Sequence, residues 1–311
     1  MHAVFINSKQ QLRAGWRIGV FIIAYSIVSF PFAALTVALM SAAGITKTMN
    51  EAILKLVLTL TSVVASYLLL NYIDKRKFLS LGMNLDSQAG KELGWGLLIG
   101  FLLQIFTVLI PVLSGNTSIQ LAELSGEYFT TGFLINIILF IIVGFNEEIL
   151  FRGYIFQAMT EGTGKLIAVL FFSILFGAVH LGNPNVSFFG FANIVLAGIL
   201  LSLAYLQTRS LWLPIGIHIA WNFTEGYVLG LPVSGTTIEK PLTISQTNGA
   251  DWLTGGAFGP EGGAACTLIC ALACVVVWKF FKPSEKMNQA VNEAMAVEAF
   301  KPKETGAVVE G

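Results

Sequence analysis

The stretch GFNEEILFRGYIFQ, residues 144–157, places Glu147, Glu148 and Arg152 inside a segment otherwise apolar enough to lie in a membrane. Charged side chains at that depth are costly, so they mark a pathway, a reaction site or a structural pair, not ordinary helix surface. Neighbouring helix positions are about 100° apart, so the two glutamates cannot point into one site. Glu148 and Arg152 are four apart and share a face, which reads as an ion pair. Glu147 is then free to point into the bundle.

The rest of the chain supports a membrane setting. Its 311 residues are 55% hydrophobic and only 12% charged, with a mean hydropathy of +0.75; a soluble domain carries about 25% charged residues. The net charge is zero, and nothing points to nucleic acid. No short apolar segment precedes a small-residue cleavage site, so no removable signal peptide is expected. Cys266, Cys270 and Cys274 recur every four residues on one face of the last apolar segment. They read as small apolar residues at a helix contact, with no disulfide framework.

The fold class read from this pattern is an all-α polytopic membrane bundle. Eight helices are expected, at 17–42, 52–73, 93–113, 132–157, 165–181, 189–207, 211–231 and 262–281, each near the ~20 residues that span a bilayer. Lys9, Arg13 and Arg17, then Lys75, Arg76, Lys77 and Lys91, then Arg152, Lys165 and Arg209, then Lys279, Lys282 and Lys286 fall on alternate sides of these helices. The positive-inside rule therefore predicts both termini in the cytoplasm. The organisation is a cytoplasmic N-terminus at 1–16, a transmembrane domain at 17–282 and a polar cytoplasmic tail at 283–311. The tail reads as solvated, with one helix around Glu285–Phe300.

Two further helices carry polar groups at helical spacing. Phe176 and His180 are four apart, and so are His218 and Asn222. Buried polar groups must be satisfied in lipid, and these do so most simply by converging with Glu147. No serine nucleophile motif and no HExxH sequence is present. A carboxylate beside an imidazole can deprotonate a water, and His218 and Asn222 can donate hydrogen bonds to an oxyanion. Glu147, His180 and His218 can equally hold a zinc ion that activates the same water. The residues leave these two mechanisms open.

The patterns EExxxR (Glu147, Glu148, Arg152), FxxxH (Phe176, His180) and HxxxN (His218, Asn222), in this order on successive helices, resemble those of the CAAX-protease and bacteriocin-processing (CPBP, or Abi) family. The similar part spans about residues 130–235. The resemblance implies an intramembrane endopeptidase in which Glu147 activates water beside His180. His218 and Asn222 would bind the oxyanion, and Glu148, Arg152 and Phe176 would support the site. It implies a membrane-embedded or membrane-bound protein or peptide as substrate, the lipid bilayer as surroundings and, from the bacterial character of the sequence, a multi-pass place in a bacterial inner membrane. The alternatives are a catalytically silent immunity or scaffold protein and a proton-coupled transporter. Intact Glu147, His180, His218 and Asn222 speak against the first. The lack of related halves speaks against the second.

One expectation does not close. With helix four starting at Gly132 on one side and helix five at Leu166 on the other, Glu147 lies about 22 Å from the first and His180 about 21 Å from the second. In a ~30 Å core the two would miss in depth by over ~10 Å. Glu225, two turns after His218, is expected on the same side as that histidine, and Asn146 and Asn193 are expected to bond between helices.

Overall fold

The computed structural model describes residues 2–7, 11–44, 46–122, 125–283 and 285–295. Among them, ten helices have ten or more residues: α1 (Ala14–Ala43), α2 (Lys47–Leu68), α3 (Ser87–Leu113), α4 (Gly126–Arg152), α5 (Tyr154–Thr163), α6 (Lys165–Val179), α7 (Phe188–Thr208), α8 (Trp212–Phe223), α9 (Ala264–Phe280) and α10 (Glu285–Met295). Several begin at a side-chain cap, which satisfies backbone N–H groups that have no partner within the helix. Thr46 accepts from Met49 N, Asp86 from Gln88 N and Ala89 N, Ser125 from Tyr128 N and Ser187 from Gly190 N.

All eight expected helices are present, but their ends and their relation to the bilayer differ. Six helical stretches among the described residues are long and apolar enough to cross a membrane; a seventh qualifies if α9 is joined to α10 across an 88° bend. The segment expected at 211–231 is an α-helix of 12 residues followed by a π-helical turn, Thr224–Val228. It is covered by protein: every residue from Leu213 to Asn222 is buried. A helix shielded from lipid need not match the bilayer thickness, which is why the hydropathy pattern overstates it.

The depth mismatch disappears for a related reason. α5 continues α4 beyond Gly153, so the chain turns at Gly164 and not near residue 157. From that turn Glu147 is seventeen residues back and His180 sixteen forward. Two antiparallel helices of equal rise bring them level.

Two features lie outside the expected all-α plan. Strands β1 (Thr117–Leu121) and β2 (Thr243–Thr247) form an antiparallel ribbon, with Thr117 opposite Thr247. In the tail, α10 is present within the expected span, but it is not simply solvated: Met287 and Val291 are buried, and α10 packs against Phe78–Leu81. Residues 296–311 of the expected tail lie outside the described residues. Two arginines counted toward orientation, Arg17 and Arg76, are buried in ion pairs. Arg17 pairs with Asp74 and Glu161, and Arg76 with Glu161. These bonds tie α1, the end of the second span and α5 together.

α8 lies at the centre of the bundle. Its approach to α3 is backbone to backbone: a Cβ on Gly96 would lie 2.4 Å from Leu213 O, and one on Gly216 would lie 2.9 Å from Gly96 Cα. Small residues at such a crossing let helices pack closely without a hydrophobic driving force.

Candidate active site

Six helices (α1, α2, α4, α6, α7 and α8) and the loop segments after them line a cavity of about 360 Å³, whose walls include Glu147, His180, His218 and Asn222. α4 delivers Glu147, the end of α6 delivers His180, and α8 delivers both His218 and Asn222. The structure thus brings together all four residues read from the sequence as a reaction centre. His180 lies just past α6, in a single 3-10 turn, His180–Gly182.

Glu147 uses its two oxygens differently. Oε2 lies 3.9 Å from His180 Nε2 and 3.7 Å from His218 Nε2. These gaps are too long for direct hydrogen bonds and suit a bridging water. Oε1 accepts from Lys55 Nζ at 2.9 Å.

Both imidazoles are fixed through Nδ1. His180 Nδ1 is 2.7 Å from Phe176 O. A carbonyl only accepts, so Nδ1 carries the proton and Nε2 of the neutral ring is left as an acceptor. His218 Nδ1 is 2.7 Å from Glu148 Oε1, which orients it in the same way.

The expected pair of Glu148 and Arg152 is present at 3.0 Å, with both side chains fully buried. Arg152 also donates to Gly198 O at 3.1 Å, and its guanidinium carbon sits 4.6 Å from the Phe176 ring centre, a cation–π distance. The Phe176 ring in turn lies 4.8 Å from that of His180 and 6.1 Å from that of His218. Phe176, Glu148 and Arg152 thus pack around the two histidines, and Glu148 also bonds His218 directly.

Two expectations are changed by the structure and a third is met. Glu225 is fully buried and does not line the cavity. It faces Gln104 and Trp221, because the π-helical turn beginning at Thr224 ends the α-helical count from His218. Asn146 lines the cavity and makes no interhelical bond through Nδ2. Asn193 does join elements, donating to Glu261 O and Gly263 O and accepting from Thr267 Oγ1.

Two groups were missed by the motifs. Lys55 sits on α2, far from any of them in sequence. Glu261 accepts from Trp221 Nε1 at 3.0 Å and from Ser234 N at 2.8 Å, fixing a loop, 233–238, that lines the cavity. Glu261 has no local spacing signal, and the i, i+4 pair Glu51–Lys55 reads on its own as an ordinary helix-surface charge pair.

The zinc expectation meets a poor fit in this arrangement. Among the described residues no three His, Cys, Asp or Glu side chains are placed to hold a metal ion. Lys55 also sets a cation directly against the carboxylate that would have to ligate it. The residues fit a held water better than a metal ion.

Fold and site together define a multi-pass membrane protein with a carboxylate–imidazole centre buried in its helix bundle. Comparison with known proteins places it further. Residues 129–224 match the family described as type II CAAX prenyl endopeptidase Rce1-like. A stretch of 100 residues is 30% identical to the "Putative membrane peptidase YdiL" of Bacillus subtilis (strain 168), covering 32% of this chain and 38% of that relative. The resemblance carried by the three motifs is thus borne out over this central segment, which is similar both to that family and to a protein named as a membrane peptidase. The matched stretch spans well under half of either chain.

Proposed function

We propose that the protein is an intramembrane endopeptidase that hydrolyses a peptide bond in a membrane-embedded or membrane-bound protein or peptide, in the setting of a bacterial inner membrane. The observation that carries this reading is the convergence of Glu147 Oε2 with two Nε2 atoms at 3.7 and 3.9 Å, in a partly open cavity within the bundle.

A water held there donates one proton toward Glu147 Oε2 and the other toward His180 Nε2, leaving a lone pair for the scissile carbonyl carbon. As the C–O bond forms, the water proton passes to Glu147 and the carbonyl oxygen becomes an oxyanion. Asn222, one turn after His218, donates to that oxyanion; the protonated form of His218 adds a second donor through Nε2. One such donor is worth about 3–4 kcal/mol of barrier. Collapse breaks the C–N bond, and Glu147 returns the proton to the leaving amine. Glu148, Arg152 and Phe176 take no proton; they hold His218 and His180 in place.

The test uses purified protein in liposomes with an internally quenched peptide library. Wild type is expected to cleave at least one member, and Glu147→Gln and His180→Ala to reduce that rate at least ~1,000-fold while remaining folded, with a cooperative melting transition. Metal content of the same wild-type sample by inductively coupled plasma mass spectrometry decides the mechanism. Active protein free of stoichiometric metal supports the water held by Glu147 and His180. Stoichiometric zinc lost in His180→Ala would replace it with a metal centre. Unchanged cleavage by Glu147→Gln would sink the hydrolytic role.

A further inference from the structure

We propose that Lys55 is a positioning residue for this reaction: its ammonium pins one oxygen of Glu147 so that the other is presented to the water between the two histidines. This rests on the hydrolytic reading above, but on a residue of α2 that lies outside the matched segment 129–224.

The geometry is specific. Lys55 Nζ donates to Glu147 Oε1 at 2.9 Å, with 28% of the lysine side chain and 11% of the glutamate side chain exposed. The last torsion of a glutamate is broad and roughly two-fold, so an unrestrained carboxylate would exchange its oxygens and drift from the histidines. A charge-assisted bond to Oε1 removes that freedom and leaves Oε2 on the side of both Nε2 atoms.

Charge balance points the same way. Lys55 is the single Lys or Arg among the residues lining the cavity, where Glu51, Glu147 and Glu261 also occur. The two other buried acids nearest the site, Glu148 and Glu261, have their own partners. Glu148 is held by Arg152 and His218; Glu261 is held by Trp221 and Ser234. Lys55 is therefore the cation that offsets Glu147 in a setting where an uncompensated carboxylate is costly. The approach is built into the helix as well: Glu51, Lys55 and Leu58 line the cavity at i, i+4 and i+7 of α2, one face of a single helix.

The test uses the full chain in liposomes and the library peptide that wild type cleaves best. Lys55→Met is expected to lower kcat about 100-fold, the scale of a misplaced reacting group, with KM changed less than about threefold. Lys55→Cys treated with 2-bromoethylamine regains an ammonium at almost the same reach. It is expected to recover at least tenfold in kcat relative to untreated Lys55→Cys, with treated wild type as the control for Cys266, Cys270 and Cys274. A kcat for Lys55→Met within twofold of wild type, or no recovery on aminoethylation of folded protein, would overturn the proposal.

Stability gives a readout that needs no turnover. Lys55→Met should lower the melting temperature in wild-type background and leave Glu147→Gln nearly unchanged; equal loss in both backgrounds would refute the pairing. The two readings part cleanly. An active Glu147→Gln enzyme defeats the hydrolytic role itself, whereas an inactive one beside a fully active Lys55→Met defeats only the role of Lys55.

Discussion

Arg152 shows how much one buried side chain carries in this bundle. Its guanidinium bonds to Glu148 and to Gly198 O and stacks on Phe176, and through Glu148 and Phe176 it sets both histidines. Burying this pair brings little net stability, because desolvation offsets the attraction. Removing one partner is another matter, since it strands a charge with no exposure. Arg152→Met should therefore cost about 3–5 kcal/mol, read as a large fall in the midpoint of thermal unfolding in detergent. Adding Glu148→Gln should restore most of that midpoint; a double variant as unstable as the single would contradict this account. Arg152→Lys keeps the charge but lacks the planar fork that reaches Glu148 and Gly198 together while stacking. It should fall between wild type and Arg152→Met.

At the scale of elements, the crossing of α3 and α8 decides where His218 and Asn222 stand. A Cβ on Gly100 would lie 2.2 Å from Ile217 O, whereas one on Gly94, on the same helix, would meet nothing within 4 Å. Gly100→Ala should therefore push α8 away, lower the unfolding midpoint and reduce cleavage. Gly94→Ala should be neutral or stabilising by about 0.5–1 kcal/mol, the usual gain of replacing an exposed helical glycine. Equal melting temperatures for the two variants would show that the crossing is loose. This crossing also marks the limit of what the sequence discloses. The pairs Glu148–Arg152, Phe176–His180 and His218–Asn222 were legible because four residues make one helical turn, so each pair states its own geometry. Lys55 was not, because its partner is 92 positions away, and the Glu51–Lys55 spacing on its own helix reads as an ordinary i, i+4 charge pair. Helix ends were least legible where burial came from protein instead of lipid, as at α8, or where a helix ran past a glycine, as at Gly153. The apparent depth conflict between Glu147 and His180 came from that second error alone. Glu225 was misplaced because a π-helical turn has no clear signature in hydropathy.

Across the whole molecule, the cavity is partly covered by chain that the sequence offers only as a loop. The segment 233–238 lines it, and two regions, around 183–184 and 258–261, hold that segment down. Glu261 takes Ser234 N and, on its other oxygen, the indole of Trp221, the neighbour of Asn222. Asn183, three residues after His180, donates to Ser234 O at 2.9 Å. Gly235 N bonds to Phe258 O, and Gly235 itself has φ +84° with no room for a Cβ, which would lie 2.0 Å from Pro184 O. The loop is thus fastened to both halves of the reaction centre, to the His180 side by Asn183 and to the Asn222 side by Trp221. Glu261 is the common anchor, so Glu261→Ala should free the loop without touching the four reacting residues. Bonds to a charged acceptor are worth about 1.5–3 kcal/mol, which corresponds to roughly 10- to 100-fold faster exchange at amides that open locally. Hydrogen–deuterium exchange should therefore rise at Ser234, Gly235 and Thr236, while amides of α4 around Glu147 keep their protection. If those loop amides exchanged at the wild-type rate, Asn183 and the Gly235–Phe258 bond would suffice to hold the cover, and Glu261 would matter only to Trp221. If protection were lost along α4 as well, the loop and the bundle would open as one unit, and closure of the site would be a property of the whole fold.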